Sequence, residues 1–110
     1  RLDAANRLPV SVTPDCTLQE TVTLMMLHDY SQLPVMKSTR DVKGVVSWKS
    51  IGSRLALRQQ CTCARECMEP AQEVSVGDSL FSVISTVADW DYVLVRASDE
   101  QICGLLLRPT

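Results

Sequence analysis

The sequence predicts a mixed α/β fold made of two copies of one strand–helix–strand–strand–helix unit, and three observations lead there. The apolar segment Leu33-Pro34-Val35, a polar turn and Gly44-Val45-Val46-Ser47 reappear later as Val93-Leu94-Val95, a polar turn and Gly104-Leu105-Leu106-Leu107. Val35 to Gly44 and Val95 to Gly104 are equally spaced, so these segments repeat at an offset of 60 residues. Ahead of each pair runs a helical stripe, Leu18-Val22-Met25-Met26 and then Leu80-Ile84-Val87-Ala88, repeating at an offset of 62. Self-similarity at such a period marks a supersecondary unit that buries its apolar face against a neighbour.

Each element has a local reason. Val10 and Val12 alternate as a half-buried strand does, and Val74 and Val76 do the same at the start of the second copy. Thr17 and Ser79 precede the two helices as N-cap residues, and Thr17-x-x-Glu20 is a capping-box pattern. Apolar positions at i, i+4, i+7 and i+8 then place one face of each helix toward a core, with Met25 and Met26 as adaptable fillers. Residues 38–41 and 98–101 read as polar hairpin turns. Trp48, Ile51 and Leu55 fall at i, i+3 and i+7, which predicts a closing helix for the first copy. No counterpart follows Thr110, so the second copy is expected to lack its closing helix. Together these elements predict an α/β (α+β) architecture of two β-α-β-β-α repeats about a pseudo-two-fold axis. Residues 7–60 form the first, 61–69 a linker and 70–110 the truncated second.

Composition narrows the function classes. A 110-residue chain suffices for one compact unit or two half-sized repeats, and 45% hydrophobic with 22% charged residues is ordinary for a soluble globular protein. The net charge of −2 argues against a nucleic-acid partner or an anionic lipid surface. No apolar run is long enough for membrane insertion, and the N-terminus lacks a basic-then-apolar leader. Five cysteines, an odd count, show no disulfide framework, so a reducing cytoplasmic location is expected. The chain starts at Arg1 rather than Met and stops after an apolar run, as expected of a piece of a longer protein.

Taken in order, Val12-Thr13-Pro14-Asp15, Leu33-Pro34-Val35 and Gly44-Val45-Val46-Ser47-Trp48-Lys49-Ser50-Ile51 resemble the cystathionine-β-synthase-type (CBS) domain. Val76-Gly77-Asp78-Ser79-Leu80, Val93-Leu94-Val95 and Gly104-Leu105-Leu106-Leu107 resemble it again, as in a tandem Bateman module. The resemblance covers residues 7–110 and implies a regulatory rather than catalytic module. Such modules bind adenosine-containing ligands (AMP, ADP, ATP or S-adenosylmethionine) in a cleft between paired repeats and control a fused or separate effector protein. The family pattern is Gly, two apolar residues, Thr or Ser, two variable residues and Asp, whose hydroxyl and carboxylate hold ribose and phosphate. Carried onto this chain, the resemblance assigns the first site to Thr13, Pro14, Ser31, Gln32, Leu33, Pro34, Val45, Ser47, Lys49 and Ser50. It assigns a weaker second site to Gly77, Asp78, Tyr92, Val93 and Thr110. Both copies depart from the pattern. Ser50 stands where the first copy should have Asp, and Leu107 and Thr110 replace hydroxyl and Asp in the second. Trading a charged acceptor for a neutral one forfeits ~1.5–3 kcal/mol, a ten- to hundred-fold loss of affinity. A degenerate pair used for dimerisation or docking without a small ligand is the alternative. The resemblance also implies a homodimer formed through the helices, with Leu24 and Leu27 off the main stripe as surface for a partner.

Other chemistry-bearing residues have plainer readings. Cys61, Cys63 and Cys67 form C-x-C-x3-C, but tetrahedral zinc needs four ligands, and Cys16, Cys103 and His28 are distant in sequence. No metal is therefore expected; Cys63 and Cys67 read as small apolar residues in the linker, with a thiol or metal sensor as a third reading of the whole chain. His28 sits where a cation complements the dipole of the first helix. Lys49, Arg54 and Arg58 either neutralise a phosphate or form a solvated helix face. Trp48 and Trp90 suit either a partner surface or groove packing. One histidine, no phosphate-binding glycine loop and no G-x-S-x-G elbow leave no catalytic residues to nominate.

Overall fold

The computed structural model describes residues 10–108, which divide into two compact units, one spanning Val10–Pro70 and the other carrying Ala71 onward. It is a mixed α/β structure with a separate sheet in each unit. Arg1, the first three residues of the expected repeat 7–60 and Thr110 lie outside the described residues. Among the described residues no helix is long and apolar enough to cross a membrane.

In the first unit, α1 (Leu18–His28) starts where Thr17 Oγ1 accepts from the Glu20 N–H and donates to the Glu20 carboxylate. It ends at Asp29 in the left-handed region, a conformation that short polar side chains tolerate. Its buried residues are Thr21 and Met25, the Thr21 hydroxyl being satisfied by the Thr17 carbonyl at 2.8 Å. Leu18, Val22 and Leu24 pack partly against the core, but Met26 is 71% exposed. The expected stripe is thus corrected at its last member: Met26 falls a full residue beyond Met25 and turns out of the interface. β1 (Gln32–Ser38) and β2 (Asp41–Ser47) form the expected hairpin, with Gln32 opposite Ser47 and Val35 opposite Gly44. The expected leading strand is reduced to a single parallel bridge, Val12 to Val35, held by Val12 N–H to Pro34 carbonyl and Met36 N–H to Val12 carbonyl.

α2 (Trp48–Ala56) follows β2 directly. Only Ser50 and Ile51 are buried, whereas Trp48 and Leu55 of the expected stripe are exposed. The core gathers Val12, Met25, Leu33, Val35, Val46 and Ile51 with Cys61, Ala64 and Cys67. Those last three belong to the segment expected to be a linker. It packs on the first unit instead, through the one-turn helix α3 (Ala64–Cys67) and an antiparallel bridge between Glu69 and Val45. Cys61 and Cys67 form a disulfide with Cα atoms 5.4 Å apart, correcting the expectation of none. A single helical turn between the two cysteines brings their backbones within bonding reach, which their spacing alone does not disclose.

The second unit repeats the order. β3 (Glu73–Ser75) pairs in parallel with β4 (Tyr92–Arg96), which pairs antiparallel with β5 (Ile102–Leu107). Between them α4 (Leu80–Trp90) is capped by Ser79, whose hydroxyl accepts from the Ser82 N–H, and ends at left-handed Asp91, the counterpart of Asp29. Val83 and Val87 pack against Val74, Val93 and Val95. Leu80, Phe81 and Ile84 face outward, Phe81 at 82% exposure. The expected stripe Leu80-Ile84-Val87-Ala88 therefore keeps only Val87 on the inner face. α4 is apolar on two sides, and periodicity cannot say which side meets the sheet.

Candidate functional site

The first unit concentrates polar chemistry where β1 begins and β2 ends. Gln32 pairs with Ser47, the Trp48 N–H donates to the Ser31 carbonyl at 3.3 Å, and Ser31 Oγ donates to Gln32 Oε1 at 2.6 Å. Ser47 is extended (φ −135°, ψ 163°) and caps α2. Its hydroxyl accepts from the Ser50 N–H at 2.9 Å, while Ser50 Oγ accepts from the Ser47 N–H at 2.9 Å and donates to the Ser47 carbonyl at 3.1 Å. This reciprocal capping box satisfies two backbone donors that the helix start leaves orphaned.

A hydroxyl offers one donor and two acceptor positions. Ser50 spends its donor and one acceptor on the cap and is 3% exposed, so it has little left for a ligand. Ser47 is half-buried and uses one acceptor, and among the described residues its O–H makes no donated hydrogen bond. Trp48, Lys49 and Ser31 stand exposed around it.

The assigned residues separate into groups. Ser31, Gln32, Ser47, Lys49 and Ser50 come together at this end. Leu33, Pro34 and Val45 lie behind them as buried packing of the hairpin. Thr13 and Pro14 do not join them. Because Val12 lies parallel to Val35, the residues after Val12 run on toward the Met36 end of β1, away from Gln32 and Ser47. Val10 and Ser11, ahead of Val12, lie on the Ser47 side by the same register.

In the second unit the same split occurs. Tyr92 opposite Leu107 occupies the place of Gln32 opposite Ser47, so an aliphatic group replaces the capping hydroxyl. The Tyr92 hydroxyl accepts from the Gln72 N–H at 2.9 Å, and burial pushes its pKa up. Val93 is fully buried. Gly77 and Asp78 belong to the turn after β3, where Asp78 Oδ2 accepts from the Ser75 N–H. That turn lies at the Arg96 end of β4, because β3 runs parallel to it and Ser75 is opposite Arg96.

Sequence reasoning missed a fixture beside the first site. Arg54, read as a candidate phosphate partner, reaches the chain that crosses β2: its guanidinium donates to the Glu66 and Met68 carbonyls at 3.2 Å each and to Glu69 Oε1 at 2.9 Å. Gly44 permits that crossing, since a Cβ there would stand 2.6 Å from the Glu69 carbonyl oxygen. The capping box was legible in principle, as Ser-x-x-Ser at a strand-to-helix junction is a short form of the usual pattern. Cys61 is tied to Cys67, so C-x-C-x3-C does not offer three thiolates; Cys16, Cys63 and Cys103 are free thiols. His28 packs its ring on Tyr30, with centroids 5.6 Å apart.

Residues 3–56 match the family model of the CBS domain. Among solved structures, the chain is similar to the CBS domain protein NE2398 (18% identity, 96% of this chain and 86% of that one, TM-score 0.82). It is also similar to CBSX2 solved in complex with AMP (18%, 91% and 82%, TM-score 0.76). A third likeness is to the CBS domain of the bacterial CNNM/CorC family Mg2+ transporter in complex with ATP (19%, 93% and 78%, TM-score 0.72). At these identities the likeness establishes the fold. No curated protein matches the sequence.

Proposed function

This is a CBS-domain protein, and from that premise we propose that it is a non-catalytic regulatory module that binds an adenine nucleotide weakly beside Ser47 and controls a fused or separate effector. One observation carries the reading: Ser47 keeps an uncommitted hydroxyl donor at the start of α2, flanked by the exposed Ser31, Trp48 and Lys49. Trp48 is a surface on which an adenine can stack, and Lys49 is a point charge for phosphate. The AMP and ATP complexes of similarly folded proteins support the choice of ligand class. The second repeat, with Leu107 in the hydroxyl position, is the weaker site. A cytoplasmic location belongs to the same reading: three cysteines are free thiols, and the location requires the Cys61–Cys67 disulfide to be one that cellular thiols can open.

A second reading, assembly without a small ligand, is favoured by the burial of Ser50 in the cap, which takes its donor and one acceptor, and by the outward face of α4. Leu80, Phe81 and Ile84 form an apolar strip of the kind that a symmetric partner covers.

Calorimetric titration with AMP, ADP and ATP separates the two. Binding that Ser47→Ala abolishes and Ser50→Asp tightens by ten- to hundred-fold, ~1.5–3 kcal/mol, upholds the nucleotide reading. An aspartate at position 50 keeps an acceptor for the Ser47 N–H and faces the positive end of α2. No heat from either protein, with a dimer in sedimentation that Phe81→Glu dissociates, upholds assembly instead.

A further inference from the structure

We propose that the Cys61–Cys67 disulfide is a reversible redox latch that holds residues 61–69 against the first unit and so tunes the margins of the Ser47 site. The latch itself rests on geometry alone; only its effect on ligand affinity rests on the nucleotide reading.

The segment has little structure of its own. It holds one helical turn, too short to persist unaided, and an internal tie in which Thr62 N–H and Oγ1 both donate to Glu66 Oε1 at 2.8 and 2.6 Å. That tie holds the Glu66 carboxyl below its ordinary range. Everything else is attachment to neighbours. On one side the Leu18 N–H donates to the Thr62 carbonyl, Ala64 N–H to the Cys16 carbonyl and Arg65 N–H to the Pro14 carbonyl, at 3.0, 2.8 and 2.9 Å, and Arg65 pairs with Asp15. On the other side Glu69 and Val45 exchange two hydrogen bonds of 2.8 Å, and Arg54 of α2 grips three acceptors. The segment therefore straps the chain ahead of α1 to β2 and α2, the elements that carry Ser47 and Ser50. The disulfide closes it at its base inside the core, Cys67 fully buried and Cys61 nearly so, and a short closed loop loses most of its disorder.

The reaction is ordinary thiol–disulfide exchange with a cellular thiol or dithiol as reductant. A reductant thiolate attacks Sγ of Cys61, the less buried of the two residues, and the S–S bond breaks. Cys67 leaves as a thiolate and takes up a proton. A second reductant thiol then attacks the mixed disulfide, leaving Cys61 as a thiol and the reductant as its own disulfide. Two electrons and two protons enter the protein. Two sulfurs that were bonded must then sit at nonbonded distance inside a close-packed core, which loosens the base of the strap.

The test uses the whole chain in oxidised, reduced and Cys61→Ala/Cys67→Ala forms, without nucleotide. Alkylation followed by mass measurement should find three reactive thiols when oxidised and five when reduced, returning to three in an oxidised glutathione buffer. Amide exchange at Ala64, Arg65, Glu69 and Val45 should quicken on the order of tenfold in the reduced and double-alanine forms, with β4 and β5 unchanged. Equal exchange in oxidised and reduced protein, or a bond that does not re-form, overturns the latch. If the double variant does not fold, the reduced wild type carries the comparison. Nucleotide titration of both redox forms is read separately: weaker binding on reduction extends the latch to the site, and unchanged binding confines it to the strap. Absence of binding in both forms sinks the nucleotide reading and leaves the exchange result standing.

Discussion

Replacing Gly44 with alanine tests how the strap crosses β2. The new Cβ would lie 2.6 Å from the Glu69 carbonyl oxygen, 3.1 Å from Met68 Sδ and 3.2 Å from Met68 Cγ. The thioether can swing aside, but the carbonyl is backbone and must retreat by close to ~1 Å to reach ordinary contact. Such a shift stretches both Val45–Glu69 hydrogen bonds, now 2.8 Å, to the edge of useful geometry. Two bonds at about 1 kcal/mol each, plus overpacking of about 1–2 kcal/mol, are offset by ~0.4–1 kcal/mol from the stiffer unfolded chain. The net loss is ~2–3.5 kcal/mol, a fall in midpoint of roughly 8–28 °C for a unit of this size. Gly52→Ala is the control. It lies inside α2 with open space around the added carbon, so the same chemical change should stabilise by ~0.5–1 kcal/mol. Urea unfolding followed by Trp48 fluorescence in a Trp90→Phe background reads the first unit alone. A Gly44→Ala stability within ~0.5 kcal/mol of wild type, or the same sign at both glycines, would refute the close approach.

Three further outcomes are expected. Ser50→Ala removes the acceptor for the Ser47 N–H and should cost ~0.5–2 kcal/mol, measurable by the same unfolding assay, with Ser50→Thr recovering part of it. Arg54→Met should lower stability by more than Glu69→Gln, because it orphans two carbonyls as well as a half-exposed ion pair that is worth little alone; equal effects would show that the carbonyls gain nothing. At alkaline pH the buried Tyr92 phenol, its pKa raised first by desolvation, favours the neutral form in the folded state. Its contribution is complete below the unfolded value near ~10 and lost as pH rises through the folded one. Tyr92→Phe should flatten that alkaline decline while leaving the Gln72 N–H without its phenol acceptor at every pH.

By itself the sequence determined the repeat, and through it the fold family. The hairpins at 32–47 and 92–107, the caps at Thr17 and Ser79 and the two helices are local events, set by alternation, turn residues and side chains within four positions of the groups they satisfy. The departures at Ser50 and Leu107 were legible for the same reason, since a motif is a local pattern. What tertiary structure alone decided is which faces meet. Met26 and Leu80 belong to the same periodic stripes as Met25 and Val87, which pack inward, yet they face outward, because a helix with apolar residues on two sides is oriented only by the sheet it packs on. Likewise, Thr13 and Ser47 belong to one family pattern, but the parallel register of Val12 beside Val35 sends them to opposite ends of β1. The segment 61–69 reads as a linker because its order comes from contacts distant in sequence, a glycine 25 residues from Glu69 and an arginine on α2, and from a disulfide that only its one helical turn closes. Long-range contacts leave no period in the chain, so only the folded arrangement shows that these residues form the strap beside the site.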